Sequence, residues 1–249
     1  MIVIKTPAHI EAMRVSGRIA GESLLAAKEA LRVGMTTKEL DAVVHRYILS
    51  QKATPSFLGY NGFPAASCIS VNDAVIHGFP SDYRLREGDI VSIDVGACKD
   101  GFHGDCADTF PVGSVTDEAL RLIAVTKQSF YDGIAAYRNG GRIGDLSAAI
   151  QQRVETNGFS VVKEYVGHGV GAHLHEEPDV PNYGRAGHGP RLYANMTIAI
   201  EPMVCEKSAA IYVDKDGWKV LTRDGGLAAH YENTVLLTET GVEILTPHD

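Results

Sequence analysis

Two aspartates in the stretch IDVGACKDGFHGDCADTF, residues 93–110, give the first indication of chemistry in this sequence. Asp94 and Asp105 each interrupt an apolar, strand-like run, and an Asp-Gly pair at residues 100–101 separates the two runs. Asp-Gly is typical of a two-residue hairpin turn, which would put Asp94 opposite Ala107. Because side chains alternate along a strand, Asp94 and Asp105 then share one face. An unpaired buried carboxylate is costly, so this arrangement predicts a bound cation.

An isolated pair of aspartates with this spacing is a weak signal, since solvent-facing aspartates are also common beside turns. Three further positions strengthen the metal interpretation. Glu201 interrupts the apolar run TIAIEPMV, Glu232 interrupts AAHYENTVLLT, and His168 lies between two glycines in EYVGHGVGAHLHEEP. Four carboxylates and one neutral imidazole carry a charge of about −4, which two divalent cations balance.

The donor types also indicate which metals and which chemistry to expect. Oxygen-rich ligation with one histidine suits Mn, Fe or Co, and Zn is possible as well. Two such ions roughly 3.5–4 Å apart would bridge a water, lower its pKa and polarise a carbonyl group. The pattern therefore predicts a hydrolase.

Composition narrows the class of protein. The 249 residues are 45% hydrophobic and 22% charged, which is ordinary for a globular domain. A net charge of −8 and the lack of a Lys/Arg-rich block argue against a nucleic-acid groove. We read no signal peptide and no membrane span, and four scattered cysteines without a CxxC pair predict free thiols in the cytoplasm. With no zipper pattern, a monomer is expected.

The elements that must position these residues occur twice along the chain. Cap signals and helical periodicity predict two helices followed by strands in each half. In the first half we expect a helix from Thr6-Pro7 to before Gly34, another from Thr36 or Thr37 to Ile48, and strands over about 65–113. In the second half we expect helices from Thr116-Asp117 to about Tyr137 and over 146–154, and strands near 161–167, 197–204, 209–213, 218–222 and 230–237.

A weak similarity relates the two halves. With a constant offset of 106 residues, Gly34 and Leu40 fall on Gly140 and Leu146. This constant offset predicts one α+β domain over residues 1–249, built from pseudo-twofold related halves of roughly 1–113 and 114–249.

The sequence resembles the type I methionine aminopeptidases, which have the pita-bread fold of the creatinase/aminopeptidase family: an antiparallel sheet covered by helices. The matching stretches run in the family's order across most of the chain. They are GYNGFPAASCISVNDAVIHGFP, GDIVSIDVGACKDGFHGDCADTF, GHGVGAHLHEEPDVPNYG, IAIEPMV and HYENTVLLT.

The resemblance implies a role for each candidate metal ligand. Asp94 and Asp105 would hold one metal ion, Asp105 and Glu232 would bridge, and His168 and Glu201 would complete the other. Glu201 would also carry a proton from the bridging water to the leaving amine. The reaction implied is hydrolysis of the N-terminal methionine of nascent polypeptides.

Two more histidines match the family's substrate-binding positions. His77, in VIHGFP, would contact the substrate near its terminal amine and scissile amide. His175, in HLHEEP, would hydrogen-bond the carbonyl oxygen and stabilise the tetrahedral intermediate. His103 and His173 lie nearby in sequence, and we expect structural or surface roles for them.

The resemblance also implies an apolar pocket, since aromatic rings and sulfur suit a thioether side chain. Family members vary at Phe57 and Leu174, which leaves side-chain selectivity less defined than the reaction. The second residue of the substrate is expected to be small. The implied pocket residues are Phe57, Tyr60, Phe63, Cys68, Leu174 and Trp218.

Other interpretations remain open on sequence alone. An X-Pro aminopeptidase or prolidase would use the same five ligands but usually has a further N-terminal domain. A type II methionine aminopeptidase usually has a helical insertion, for which the segment between His175 and Glu201 leaves little room. A non-catalytic binding module typically loses metal ligands, and a storage protein leaves His77 and His175 without a purpose. Transient docking on the ribosome is not decided.

Overall fold

The structure is a computed structural model that describes residues 1–248. Its helices are α1 (Pro7–Ala30), α2 (Thr37–Ser50), α3 (Asp117–Ala135) and α4 (Ile143–Thr156), and a 3-10 turn covers Tyr60–Gly62. Its strands are β1 (Thr54–Pro55), β2 (Ser67–Val71), β3 (Ala74–Ile76), β4 (Ile90–Lys99), β5 (Phe102–Pro111), β6 (Ser160–Val161), β7 (Gly167–Gly169), β8 (Glu176–Val180), β9 (Thr197–Ile200), β10 (Met203–Cys205), β11 (Ile211–Val213), β12 (Val220–Thr222), β13 (Ala228–His230), β14 (Glu232–Leu237) and β15 (Val242–Ile244).

Helices α1 and α2 each begin directly after a capping residue whose side chain accepts a hydrogen bond from a backbone N–H of the first turn. The Thr6 hydroxyl accepts from the His9 N–H, and Pro7 occupies the first turn of α1. Thr36 and Glu39 form a capping box at the start of α2. The bounds of α4 are those of α2 shifted by 106 residues, the same offset as in the sequence, although α4 begins three residues before the predicted Leu146.

A nine-stranded antiparallel sheet joins the two halves of the chain. Its main path is β1-β4-β5-β14-β9-β7-β8, with β2 added on β4 and β15 on β14. Helices α1 and α2 pack on the first half of this sheet, through an apolar cluster that includes Leu24, Leu40 and Val95. Strands β5 and β14 meet at the centre, so the sheet brings together the segments that carry Asp105 and Glu232.

Two small three-stranded sheets complete the fold, in the orders β13-β10-β6 and β11-β12-β3. The α+β class predicted from the sequence, with an antiparallel sheet covered by helices, is confirmed. Within residues 1–248 no helix combines the length and apolar character that crossing a bilayer requires.

Three segments that the sequence predicts as continuous strands are interrupted in the structure. The segment 197–204 divides into β9 and β10 at Glu201-Pro202, and 230–237 divides into β13 and β14 at Tyr231. Proline cannot donate a ladder hydrogen bond, and at both breaks the chain passes between the large sheet and a small one. The Tyr231 N–H donates to the Pro202 carbonyl, so the two breaks face each other. The segment 161–167 is strand only at its two ends.

Candidate metal centre

The β4–β5 hairpin has the register predicted from its turn. Asp94 pairs with Ala107, and Asp100 and Gly101 form the loop with φ angles of 52° and 80°. Positive φ at both positions is what a tight primed turn requires, and it suits this Asp-Gly pair. Asp105 lies two residues before Ala107, so Asp94 and Asp105 project from the same face.

A row of three residues crosses the centre of the sheet. Ala107 of β5 pairs with Asp94 of β4 on one side and with Glu232 of β14 on the other. Because directly opposed residues share a face, the small Ala107 side chain leaves room for the two flanking carboxylates to converge. Glu201 reaches the same region from the end of β9, where the chain leaves the sheet.

His168 enters the cluster from β7, and its two neighbouring glycines are needed for close packing. A Cβ at Gly167 would lie 2.3 Å from the Ala199 carbonyl oxygen, and one at Gly169 equally close to the Glu177 carbonyl oxygen. The His168 Nδ1–H donates to the Gly169 carbonyl at 2.9 Å. This contact leaves Nε2 as the acceptor atom and turns it toward the carboxylates.

The distances between the donor atoms suit a shared cation better than direct hydrogen bonds between the side chains. His168 Nε2 lies 3.9 Å from Asp105 Oδ2 and 3.6 Å from Glu201 Oε1. These distances exceed hydrogen-bonding range, but two donors about 2.1 Å from one ion lie roughly 3.0–4.2 Å apart. Asp94 Oδ1, Asp105 Oδ1 and Glu232 Oε1 are buried with no hydrogen-bond partner among residues 1–248. Ligand atoms of Asp105, His168 and Glu232 lie within 4.8 Å of one another.

Burial and mutual repulsion keep protons on this cluster when it holds no cation. Burial raises the pKa of Asp105 to about 7. Burial, and then the charges of the neighbouring acids, raises the pKa values of Asp94, Glu201 and Glu232 well above their ordinary values. Burial, with a smaller effect from His175, lowers the pKa of His168 to about 4, so its imidazole is neutral. Cation binding would replace protons on the acids.

The sequence reasoning missed His230. This residue is 2% exposed and lies two positions before Glu232, on the other side of the break at Tyr231. Its Nε2 is 3.7 Å from Glu201 Oε2 and 3.8 Å from Glu232 Oε2. Burial, with a smaller effect from His77, lowers its pKa to about 3. The signal was available as the spacing of a histidine and an acid at i and i+2 in AAHYENTVLLT.

The two auxiliary histidines lie beside the acidic cluster. His77 has a φ of 58°, and its ring meets the Tyr165 ring edge-on at 5.7 Å. Burial, and then the nearby His175, lowers the pKa of His77 to about 4. His175 Nδ1 shares a 2.8 Å hydrogen bond with the Tyr60 hydroxyl, and its ring centroid is 4.1 Å from that of His168. Burial lowers the pKa of His175 too.

One cavity of about 190 Å³ joins the cluster to an apolar pocket. The structure places all the residues predicted for the site on its walls, together with Asn61, which the sequence reasoning did not include. The full lining is Phe57, Tyr60, Asn61, Phe63, Cys68, His77, Asp94, Asp105, His168, Leu174, His175, Glu201, Trp218 and Glu232.

The apolar end of the cavity is built from residues that pack on one another. The Phe63 ring lies 5.3 Å from Trp218, edge-on, and 5.4 Å from Phe79, which the sequence reasoning also missed. Cys68 of β2 pairs with Asp94 of β4, so its thiol lies on the same face as the acidic cluster. Burial raises the pKa of this thiol well above its ordinary value, which keeps it neutral.

His103 and His173 lie outside the cavity lining. The His103 ring shares a 2.8 Å hydrogen bond with the Ser56 hydroxyl, and the His103 backbone N–H donates to the Gly171 carbonyl. His173 is exposed, and its backbone N–H donates to Glu176. These contacts agree with structural and surface roles.

A pita-bread sheet with an acidic, histidine-containing cluster at its centre defines a class of metallopeptidase. The sequence matches metallopeptidase family M24 over residues 11–239, and the chain belongs to that family. A methionine aminopeptidase from Clostridium perfringens is 53% identical to it over 246 residues, 99% of either sequence. The crystal structure of methionine aminopeptidase from Thermotoga maritima has 43% identity and a TM-score of 0.97, and 99% of each chain is covered.

Prolidases share the fold but not the length. The prolidase from Pyrococcus furiosus is 27% identical, with a TM-score of 0.79. The comparison covers 99% of this chain but only 66% of the prolidase.

Proposed function

We propose that this protein is a methionine aminopeptidase that hydrolyses the peptide bond after an N-terminal methionine, with a small residue in the second position. The observation that carries the proposal is the single cavity in which five metal-ligand candidates border an apolar pocket of aromatic rings and one thiol. Similarity to methionine aminopeptidases along almost the whole chain supports the same reaction.

Two divalent ions, of Co, Mn, Fe or Zn, are the cofactors that the donor set suits. Asp94 and Asp105 would hold one ion and His168 and Glu201 the other, with Asp105 and Glu232 contributing to both. The unpartnered carboxylate oxygens support this assignment. Such ions supply an acidified water and polarise the scissile carbonyl.

The side chains around the cluster then orient the substrate and move the proton. Glu201 accepts the proton released by the attacking water and passes it to the leaving amine. His175 donates to the carbonyl oxygen of the scissile bond, where negative charge develops, and Tyr60 holds its ring in place. His77, between Tyr165 and the cavity, contacts the substrate near its terminal amine and scissile amide.

The apolar end of the cavity selects the side chain of the substrate's N-terminal residue. Phe63 and Trp218 present ring faces and edges that suit a flexible thioether, and Cys68 places a neutral sulfur next to Asp94. Phe57, Tyr60 and Leu174 complete the walls of this methionine pocket.

Residues 1–249 act as one catalytic domain and as a monomer that meets nascent chains in the cytoplasm, with transient docking on the ribosome left open. Four free cysteines, three of them buried, are in keeping with a reducing compartment.

A chelation experiment tests the proposal. Protein stripped of metal and dialysed should be inactive on Met-Ala-Ser and should regain activity with Co²⁺ or Mn²⁺, while Ala-Pro peptides stay uncut. Equal cleavage of both peptides would favour an X-Pro aminopeptidase. Metal binding without cleavage of either peptide would favour a non-catalytic binding module.

A further inference from the structure

His230 is a buried donor that the five-ligand assignment leaves unused. Its Nε2 has no hydrogen-bond partner within the described chain, although the residue is only 2% exposed. An unpaired polar atom in such a place is costly unless a ligand satisfies it.

The environment of His230 resembles that of His168. Each Nε2 lies 3.6–3.9 Å from two carboxylate oxygens, beyond hydrogen-bonding range and within the spacing of donors on one ion. Glu201 stands between the two rings, with Oε1 toward His168 and Oε2 toward His230. Ligand atoms of Asp94, His230 and Glu232 form a second group within 4.8 Å of one another.

The backbone of His230 is fixed independently of any metal. The Thr109 hydroxyl accepts from the His230 N–H at 2.9 Å and donates to the His230 carbonyl at 2.8 Å. The Ser92 hydroxyl, 2.8 Å away, donates to Thr109 in turn, and Met203 of β10 pairs with His230. The ring therefore projects from a rigid segment, as a metal ligand should.

We propose that His230 is a further metal ligand, which binds through Nε2 to the ion held by Asp94 and Glu232. This inference rests on the two-ion centre of the proposed function. Each ion then has one imidazole donor, from His168 on one side and His230 on the other. A nitrogen donor favours Co²⁺ or Zn²⁺ over Mn²⁺ in the Asp94 site.

Metal binding tests the proposal without relying on catalysis. Metal-free wild type, His230→Gln and the control His188→Gln are titrated with Co²⁺, followed by calorimetry and by the visible absorption of the bound ion. His188 is exposed, its ring contacts the Ala186 carbonyl, and it is not among the residues that line the cavity. Wild type and control should bind two ions, and His230→Gln should bind one of them about 10–100-fold more weakly, with an altered spectrum.

The outcomes separate this inference from the proposed function. Two ions with the same affinities and spectrum in wild type and His230→Gln would overturn the role of His230 and leave the dinuclear centre intact. A single ion in wild type would overturn the dinuclear centre and the inference with it.

A measurement on the unaltered protein covers the case in which His230→Gln does not fold. In wild type with ¹⁵N-labelled histidine, Zn²⁺ should shift two ring Nε2 resonances to metal-bound positions. A shift of only one resonance at saturation would refute ligation by His230.

Discussion

Raising the pH from 6.5 to 8 should destabilise the metal-free protein, because its buried acids must lose protons in the folded state. Burial raises the pKa of Asp105 to about 7, and the pKa values of Asp94, Glu201 and Glu232 are raised as well. In the unfolded chain all four are ionised above about pH 5. Between pH 6.5 and 8 the folded state thus binds more protons than the unfolded state, and stability falls as pH rises.

The size of the effect follows from the same linkage. Asp105, with a folded pKa of about 7, contributes a loss of about 0.8 kcal/mol between pH 6.5 and 8. Each further acid that is still protonated at pH 8 adds about 2 kcal/mol, since a full proton difference is worth about 1.4 kcal/mol per pH unit. Each histidine with a lowered pKa offsets about 0.4 kcal/mol of this loss, because it is neutral in the folded state while the unfolded imidazole, with a pKa of about 6.5, loses about half a proton between pH 6.5 and 8. The buried acids, which are more strongly affected, still set the sign.

The assay is urea unfolding in the presence of a chelator at pH 6.5, 7, 7.5 and 8. Asp105→Asn serves as the control, and its profile should be flatter because one titrating acid and its charge are removed. With saturating Co²⁺ the sign should reverse, since metal binding requires deprotonated ligands and strengthens as pH rises. A metal-free free energy of unfolding that stays constant or increases from pH 6.5 to 8 would refute the argument.

Three substitutions test individual contacts. Asp105→Asn should lower kcat/KM on Met-Ala-Ser at least about a hundredfold by weakening a bridging ligand, and near-wild-type turnover would remove Asp105 from the site. Gly169→Ala would place Cβ 2.3 Å from a β8 carbonyl oxygen and should lower the free energy of unfolding by about 3 kcal/mol, measured in urea with a chelator present. The control Gly241→Ala, whose Cβ meets nothing within 4 Å, should lower it far less. Tyr60→Phe should lower kcat about tenfold by releasing His175, with methionine binding little changed; an unaltered kcat would show that this hydrogen bond does not position the ring.

The features predictable from sequence were those that depend on local periodicity. The period of two along a strand and the Asp-Gly turn sufficed for the register that brings Asp94 and Asp105 to one face. Cap residues located the starts of α1 and α2 for the same reason, since their hydrogen bonds join residues three apart.

The features that were missed depend on which sheet a segment joins. TIAIEPMV is apolar on both sides of Glu201, yet the chain passes there from the large sheet to a small one, and the hydrophobic pattern alone does not reveal the change. His230 lies two residues before Glu232, a spacing that indicates a shared face, but its strand belongs to a small sheet and that of Glu232 to the large one, so the spacing alone does not establish that both reach one site. Asn61 comes from the 3-10 turn and Phe79 from a loop, where strand or helix periodicity gives no information about the direction of a side chain.

The position of the cluster explains how the fold tolerates it. Asp94 and Asp105 come from the first half of the chain and Glu201 and Glu232 from the second, and β5 and β14 bring the pairs together at the centre of the large sheet. Among residues 1–248 the side chains that come within ion-pair distance of these acids are histidines, whose lowered pKa values keep them neutral. Burying four acids without compensation would oppose the joining of the halves. Bound divalent cations would remove that opposition, so the metal required for catalysis would also stabilise the pairing of β5 with β14 on which the site is built.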